Sequence, residues 1–514
     1  MESKEALEWF KLKKYPHIGM PLKASDRLKW IEGYVTNPQN ISKHSFLPFI
    51  HRTSKVRKYR KHYSTVDGKL IDSIVEGKKM NRHNGIKTRE IYYASHLDSL
   101  VYSYYAESLS QKYEKKLMQN HLEDVVNAYR SIPVNRTNPD SSNKCNIDFA
   151  NDIFKYILSY DSEEFVVITF DIKSFFDNLN HRLLREAWMD VLDVERLSPD
   201  HFNVFKNITR FSYVDIVDLF EEFKNQIFIQ KRSKSGQLLP VKRGKISELK
   251  FMRNQEAIAF CTKEEFLKRK NRLLKNYKRK KHDDKIKDRD FGIPQGSPIS
   301  SILANIYLLK FDKKINDFIT ERGGIYNRYS DDMIIVCPKP LKESIIDLMN
   351  SSIQDDCKLF IQESKTQIFH FKKDSNRLIC GQEFHSEINW NKNLIYLGFE
   401  FDGDAVLLKS GSLSGYYRKM KRTIVRSKKQ SQKRFNKNRG EIFKHRILKR
   451  FSYKGAKRRR KWLWDDRLSG FIKSEHYDWG NFLSYAYKAA NIMISNKIKA
   501  QTKKHWNKLN ALLK

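Results

Sequence analysis

The chain has 514 residues, with 99 Lys and Arg against 60 Asp and Glu, a formal net charge of +39, and 40% hydrophobic residues. That is enough apolar material for two to four structural units, and a positive field far beyond what solubility requires, which fits a nucleic acid better than an acidic protein or a membrane surface. The aromatic fraction of 13% suits a partner offering stackable bases as well as phosphates, and no run approaches the ~20 apolar residues of a membrane span. Residues 1–90 are mixed and basic, with weak periodicity. From Ile91, IYYASHLDSLVYSYYAESLSQKYEKKL carries apolar residues at helical spacing. EEFVVITFDI (163–172) reads as a buried strand ending in an acid, and HRLLREAWMDVL (181–192) as a helix. Residues 210–290 read as helical and strongly basic, with LKRKNRLLKNYKRKKH at their centre. The loop FGIPQGSP opens a further helix, SSILANIYLLKFDKKI. IYNRYSDDMIIVC (325–337) predicts two strands joined by a tight turn, and LIYLGFEF (394–401) one more strand. From about 409 the chain predicts a Lys/Arg-dense, all-helical tail. The fold class expected is therefore α+β before a charge shift near 404–415 and all-α after it.

The five cysteines, Cys145, Cys261, Cys337, Cys357 and Cys380, form no CxxC pair, which argues against a zinc knuckle and for a reducing compartment. MESKEALEWFKLKK has no apolar core of a signal peptide, so a cytoplasmic protein is expected. The acids of the tail (Glu441, Asp465, Asp466, Glu475, Asp478) do not suggest a ribonuclease carboxylate cluster.

Three acids stand out. Asp171 ends an apolar strand, which by itself is as well explained by an ordinary strand-end turn. Asp331 and Asp332 sit together in a predicted hairpin turn, where Asp is common but two neighbouring carboxylates repel and call for a cation. Phosphoryl transfer uses such sets: paired Mg²⁺ ions held by a few carboxylates stabilise the attacking and leaving oxygens.

FDIKSFFDNLNH, GIPQGSPISSILANIYL, YSDD, LFIQESKT and IYLGFEF resemble, in order, motifs A to E of reverse transcriptases. Upstream, HLDSLVYSYYAESL, NAYRSIP and NKCNIDFA are similar to segments of the bacterial abortive-infection and unknown-group reverse transcriptases. The resemblance implies a right-hand polymerase: a basic extension over 1–90, fingers over 91–162, a palm with an antiparallel sheet over 163–403 interrupted by a basic insert at about 200–288, and a basic α-helical thumb over 404–514. It implies that Asp171, Asp331 and Asp332, with the Ile172 carbonyl, hold two Mg²⁺ ions, or Mn²⁺ in their place. It implies that Phe176 is the steric gate against ribonucleotides, although Phe175 or Phe176 could equally be core. Gln295 and Gly296 become the floor under the incoming dNTP. Lys365 becomes a proton donor to pyrophosphate, with a solvated surface lysine as the competing reading. Arg130 and Lys144 become fingers contacts to the triphosphate, and Tyr396-Leu397-Gly398 the primer grip. The activity implied is RNA-directed DNA synthesis with a dedicated noncoding RNA, in antiphage defence. The alternatives are template-independent or protein-primed synthesis on the same fold, and a non-catalytic RNA-binding scaffold. A homo-oligomer follows from family analogy alone.

Overall fold

The computed structural model describes residues 9–514 except 61–62, 67–68, 73, 76–77, 80–82, 139–140, 234–235, 277–278, 283–284, 289, 376, 385–386, 434–438, 458, 466–469 and 478–479. Residues 1–8 of the N-terminal segment, Arg458 of the basic run, and the tail acids Asp466 and Asp478 thus lie outside the described residues. In chain order, the elements that frame the site begin with the strands β1 (Phe49–Arg60) and β2 (His83–Tyr93), then the helices α1 (His96–Gln119) and α2 (Asn146–Ser159). β3 (Glu164–Asp171), α3 (His181–Leu192) and β4 (Ser212–Asp215) follow. The helices α4 (Ser300–Tyr307) and α5 (Leu309–Thr320) lead into β5 (Ile325–Tyr329) and β6 (Asp332–Pro338), then β7 (Gln367–Asp374), β8 (Arg377–Phe384) and β9 (Glu387–Asn389). The short strands β10 (Leu394–Tyr396), β11 (Phe399–Phe401) and β12 (Val406–Leu408) precede α6 (Ser410–Ser431) and α7 (Lys444–Phe451). A ribbon of β13 (Arg460–Asp465) and β14 (Gly470–Tyr477) separates these from α8 (Phe482–Ile492), α9 (Asn496–Lys503) and α10 (His505–Leu513).

The central sheet has the order β5-β6-β3-β7-β8-β9, with every pairing antiparallel. β3 is apolar from Phe165 to Ile168 and again at Phe170 because both its faces are covered there. Val166, Ile168 and Phe170 join Met333 and Ile335 in one core beneath α1, α3, α4 and α5. Phe165 and Val167, offset by one residue, pack with Ile334, Val336 and Phe369 in a second core that takes in Ile153 and Phe154 of α2 and Ala486 and Ala489 of α8. A strand buried on both sides cannot show polar alternation, and this one does not.

β1 and β2 form a long antiparallel pair, extended by β4 parallel to β1. The basic insert is not simply helical. Its helices Pro199–Thr209, Ile216–Phe223 and Lys263–Leu273 alternate with strands, and Ala257–Cys261, Ile227–Ile229 and Lys242–Gly244 make a sheet whose remaining strand is His17–Ile18. Residues near the N-terminus and the insert thus share one core, containing Ile18, Ile50, Val214, Phe220 and Phe260. The single strand expected over 394–401 is two, because Leu397 (φ +43°) and Gly398 (φ +94°) turn the chain back between β10 and β11. The tail departs from the all-helical expectation at β13–β14. Its helices bury Tyr416, Met420, Ile424, Ile447, Phe451 and Leu509 in a fourth core. Among the described residues no helix is long and apolar enough to cross a membrane.

Candidate active site

A cleft of about 1360 Å³ opens where the edge of β2, the end of β3, the β5–β6 turn and the β10–β11 turn converge. Antiparallel pairing sets Asp332 directly opposite Asp171, and the Ile172 amide donates to the Asp331 carbonyl at 3.3 Å. Asp171 and Asp332 therefore arrive on two neighbouring strands, and Asp331 sits in the tight turn beside them with its carbonyl held by the Ile172 amide.

The turn carrying them is under local strain. Tyr329 pairs with Asp332, which leaves a two-residue loop, Ser330-Asp331, with Ser330 left-handed at φ +63°. Hairpins of this kind usually place glycine there. Several contacts hold the serine in place: the Arg328 guanidinium donates to the Ser330 carbonyl at 3.2 Å, and the Tyr129 and Ser330 hydroxyls stand 3.0 Å apart. Arg328 is fully buried and forks onto Asp312 of α5, Nε to Oδ1 at 2.8 Å and Nη2 to Oδ2 at 2.6 Å. Its Nη1 also reaches Asn305 of α4 at 3.2 Å. Burial alone would push the Arg328 pKa down; Asp312 and its hydrogen bonds overcome this and push it up, so the guanidinium stays charged.

Charge in the cleft is uneven. Enclosure by the protein, then repulsion from Asp331 and from Asp171, pushes the Asp332 carboxyl up to about 6, against the opposing pull of Lys365 and Lys409. Asp332 still meets solvent, so water screens part of this effect. Lys365 bonds Asp171 Oδ1 directly. Among the described residues, no three His, Cys, Asp or Glu side chains are drawn together closely enough to enclose an ion by themselves. The donor set nonetheless suits Mg²⁺: its ligands are hard carboxylate oxygens, and Mg²⁺ characteristically binds one or two carboxylates and completes its shell with substrate phosphates and water. The raised Asp332 pKa marks negative charge that the two lysines do not offset.

Phe175 and Phe176 both line the cleft, but Phe176 is half-buried whereas Phe175 is buried in the core. The Ile293 amide donates to the Phe176 carbonyl at 2.9 Å, which ties that turn to the PQG loop. Gln295 also lines the cleft, and its carbonyl accepts from the Tyr92 amide of β2 at 2.8 Å. Gly296 has φ +117°, and a Cβ there would meet the Tyr92 carbonyl oxygen at 2.8 Å. The close approach it permits is therefore to the β2 backbone. Tyr396, Leu397 and Gly398 form the opposite wall, with Lys409 beside them.

Arg130 and Lys144 do not line the cleft. Arg130 is nearly enclosed and bidentate to Glu114, with further bonds to the Glu123 and Val126 carbonyls, so it closes the loop after α1 instead of facing a ligand. Lys144 pairs with Asp152 at 2.8 Å. Among the described residues, the basic groups that reach the cleft are Lys365, Lys87 and Arg89 on β2, and Lys409 before α6. Lys87 and Arg89 are separated by one residue, so they share a face of their strand. That spacing, Lys-Thr-Arg, was the one signal in the sequence that could have revealed them.

Comparisons with known proteins give weak overall structural likeness. The apo telomerase from Candida tropicalis truncated from its C-terminal domain aligns with a TM-score of 0.36 at 13% identity, covering 64% of this chain and 53% of that one. The untruncated apo telomerase of the same organism gives 0.34 at 14%, covering 68% and 50%. A Candida albicans telomerase in complex with a TWJ fragment of telomeric RNA gives 0.35 at 11%, covering 98% and 70%. The present chain thus spans about half the length of the first two. Residues 252–401 match the family model of reverse transcriptase (RNA-dependent DNA polymerase), so the stretch that carries Gln295, the YSDD turn and Lys365 is similar to a nucleotide-polymerising domain of that kind.

Proposed function

We propose that the protein is an RNA-directed DNA polymerase that adds dNTPs at the β3 and β5–β6 acids, templated by a partner noncoding RNA. The observation that carries this is the pairing of Asp171 against Asp332 beside a strained turn, in a cleft walled by basic side chains. Asp171, Asp331 and Asp332, with the Ile172 carbonyl, would hold divalent metal, and bound Mg²⁺ would supply charge neutralisation at the attacking and leaving oxygens. The chain's own residues do the rest. Lys87 and Arg89 face the cleft where a triphosphate would neutralise them. Phe176 fills space beside the sugar position. Gln295, anchored to β2, lies under the base. Lys365 is a cation poised to protonate a leaving pyrophosphate. The tail, dense in Lys and Arg, serves as the thumb.

The assignment to bacterial antiphage defence rests on the resemblance of HLDSLVYSYYAESL, NAYRSIP and NKCNIDFA. The test of the templating role is to digest the purified protein with ribonuclease before adding Mg²⁺ and dNTPs, and to sequence any product against RNA recovered from an undigested sample. Loss of synthesis, with a product complementary to one bound RNA, is expected. Undiminished synthesis after complete digestion would overturn templated copying in favour of template-independent or protein-primed addition.

A further inference from the structure

The β13–β14 ribbon interrupts a tail whose sequence is otherwise helical, and it exposes side chains that a solvated hairpin has no use for. Trp462 is 62% exposed, Phe471 51% and Tyr477 46%. Cross-strand register explains how they gather. Trp462 lies opposite Lys473, and Phe471 lies two residues along from Lys473, so all three project from one face. Between the Arg460–Tyr477 pair and the Trp462–Lys473 pair the first strand advances two residues and the second four. That bulge re-aims the chain and brings Arg459, Arg460, Lys461 and Tyr477 to the same hollow of about 860 Å³ as Trp462 and Lys473. The Arg460 guanidinium stands over the Tyr477 ring, 6.0 Å from its centroid.

An isolated two-stranded ribbon is marginal in water, and exposed aromatics there add an aggregation hazard unless a ligand covers them. The four cations around the rings choose the ligand: a polyanion that also offers flat apolar faces. Duplex nucleic acid presents phosphates but hides its bases within the stack; a single strand presents both. We propose that the β13–β14 ribbon is a binding platform for unpaired nucleotides, on which bases stack against Trp462 and Phe471 while Arg459, Arg460, Lys461 and Lys473 take the phosphates. The platform lies outside the residues that line the polymerase cleft. The proposal deepens the polymerase reading, which supplies the RNA partner, by naming the single-stranded part of that RNA as what the ribbon holds.

The test measures binding without Mg²⁺ or dNTPs, so it does not depend on catalysis. The full-length protein and its Trp462→Ala/Phe471→Ala, Trp462→Phe and Lys461→Gln/Lys473→Gln variants are titrated with an unstructured oligouridine and with a blunt RNA duplex across a salt series. Loss of both aromatics should weaken oligouridine binding about tenfold or more, leave duplex binding within about threefold, and leave the salt slope unchanged. Trp462→Phe should keep most of the affinity, which separates stacking from misfolding. Lys461→Gln/Lys473→Gln should reduce the single-strand salt slope by ~1.4. Equal losses on both ligands, or no loss on either, would overturn the proposal; the latter would make the ribbon a protein-docking or bare surface. Repeating the titration with Asp331→Asn/Asp332→Asn protein separates this outcome from failure of the polymerase assignment, because the single-strand preference should survive there.

Discussion

Phe176 and Asp332 carry two predictions that belong to single side chains. Phe176, five residues beyond Asp171, lines the cleft half-buried, while Phe175, four residues beyond, borders it but is buried in the core. Phe176→Ala should therefore open room for a 2′-hydroxyl and lower the ratio of dNTP to rNTP incorporation by about tenfold or more, roughly the ~1.4 kcal/mol of one modest steric clash. An unchanged ratio would return Phe176 to the core. Asp332 has a different liability. Its carboxyl is pushed up to about 6 by enclosure and by Asp331 and Asp171, above the ordinary aspartate value. A raised folded-state pKa in an acid means that the metal-free fold binds the proton more tightly than the unfolded chain does. The group therefore costs stability at neutral pH, and that cost shrinks as pH falls below 6 and disappears only below the unfolded-state value near 4. Asp332→Asn should raise the melting temperature of metal-free protein at pH 7.5 by about a degree after solvent screening. The gain should fall by about half at pH 5 and vanish only below about pH 4, while incorporation is lost at every pH. A lower melting temperature at pH 7.5 would mean that the lysines overcompensate the acids.

At the scale of elements, the β5–β6 turn is held by its neighbours. Arg328 connects the strained, buried Ser330 to Asp312 of α5 and Asn305 of α4, with Arg328, Asp312 and Asn305 fully buried. Asp312→Ala would strand a buried guanidinium and should cost about 3–5 kcal/mol in denaturant unfolding. Arg328→Met/Asp312→Leu should recover most of that stability and still lower kcat with little change in KM, because Ser330 loses its hold and Asp331 drifts. Recovery of both stability and kcat would reduce the pair to packing.

Sequence pattern revealed some of these elements and hid others for physical reasons. β3 and β6 announce themselves as apolar runs because both faces are covered, and Tyr329-Ser330-Asp331-Asp332 is short enough for its turn to be evident. β1 was invisible: HRTSKVRKYR alternates long polar side chains, with no apolar face for periodicity to detect. The β10–β11 turn was marked by Gly398, but the apolar run across it reads as continuous. Arg130 looked like a fingers contact because nothing in sequence ties it to Glu114, one helix earlier. Lys409 sits alone at a boundary, and only the folded chain brings it within reach of Asp332.

For the whole molecule, the candidate site and the basic outer surface of α6 involve different residues. The acids converge in the central cleft, whereas the tail packs Tyr416, Met420 and Ile424 inward and turns Arg418, Arg422, Arg426 and Lys429 of α6 to a common outer surface. Affinity for RNA should therefore survive damage to the acids. The most direct measurement is primer extension on a defined RNA template with a DNA primer, Mg²⁺ and dNTPs, comparing wild-type protein with Asp331→Ala/Asp332→Ala, alongside RNA binding by both. Polymerisation at these acids predicts DNA complementary to the template from the wild type. It also predicts a fall of at least about a thousandfold in the variant, several kcal/mol of lost transition-state stabilisation, with the RNA dissociation constant unchanged within about threefold. Residual incorporation above about a thousandth of wild type, or RNA binding that falls in step with incorporation, would contradict it.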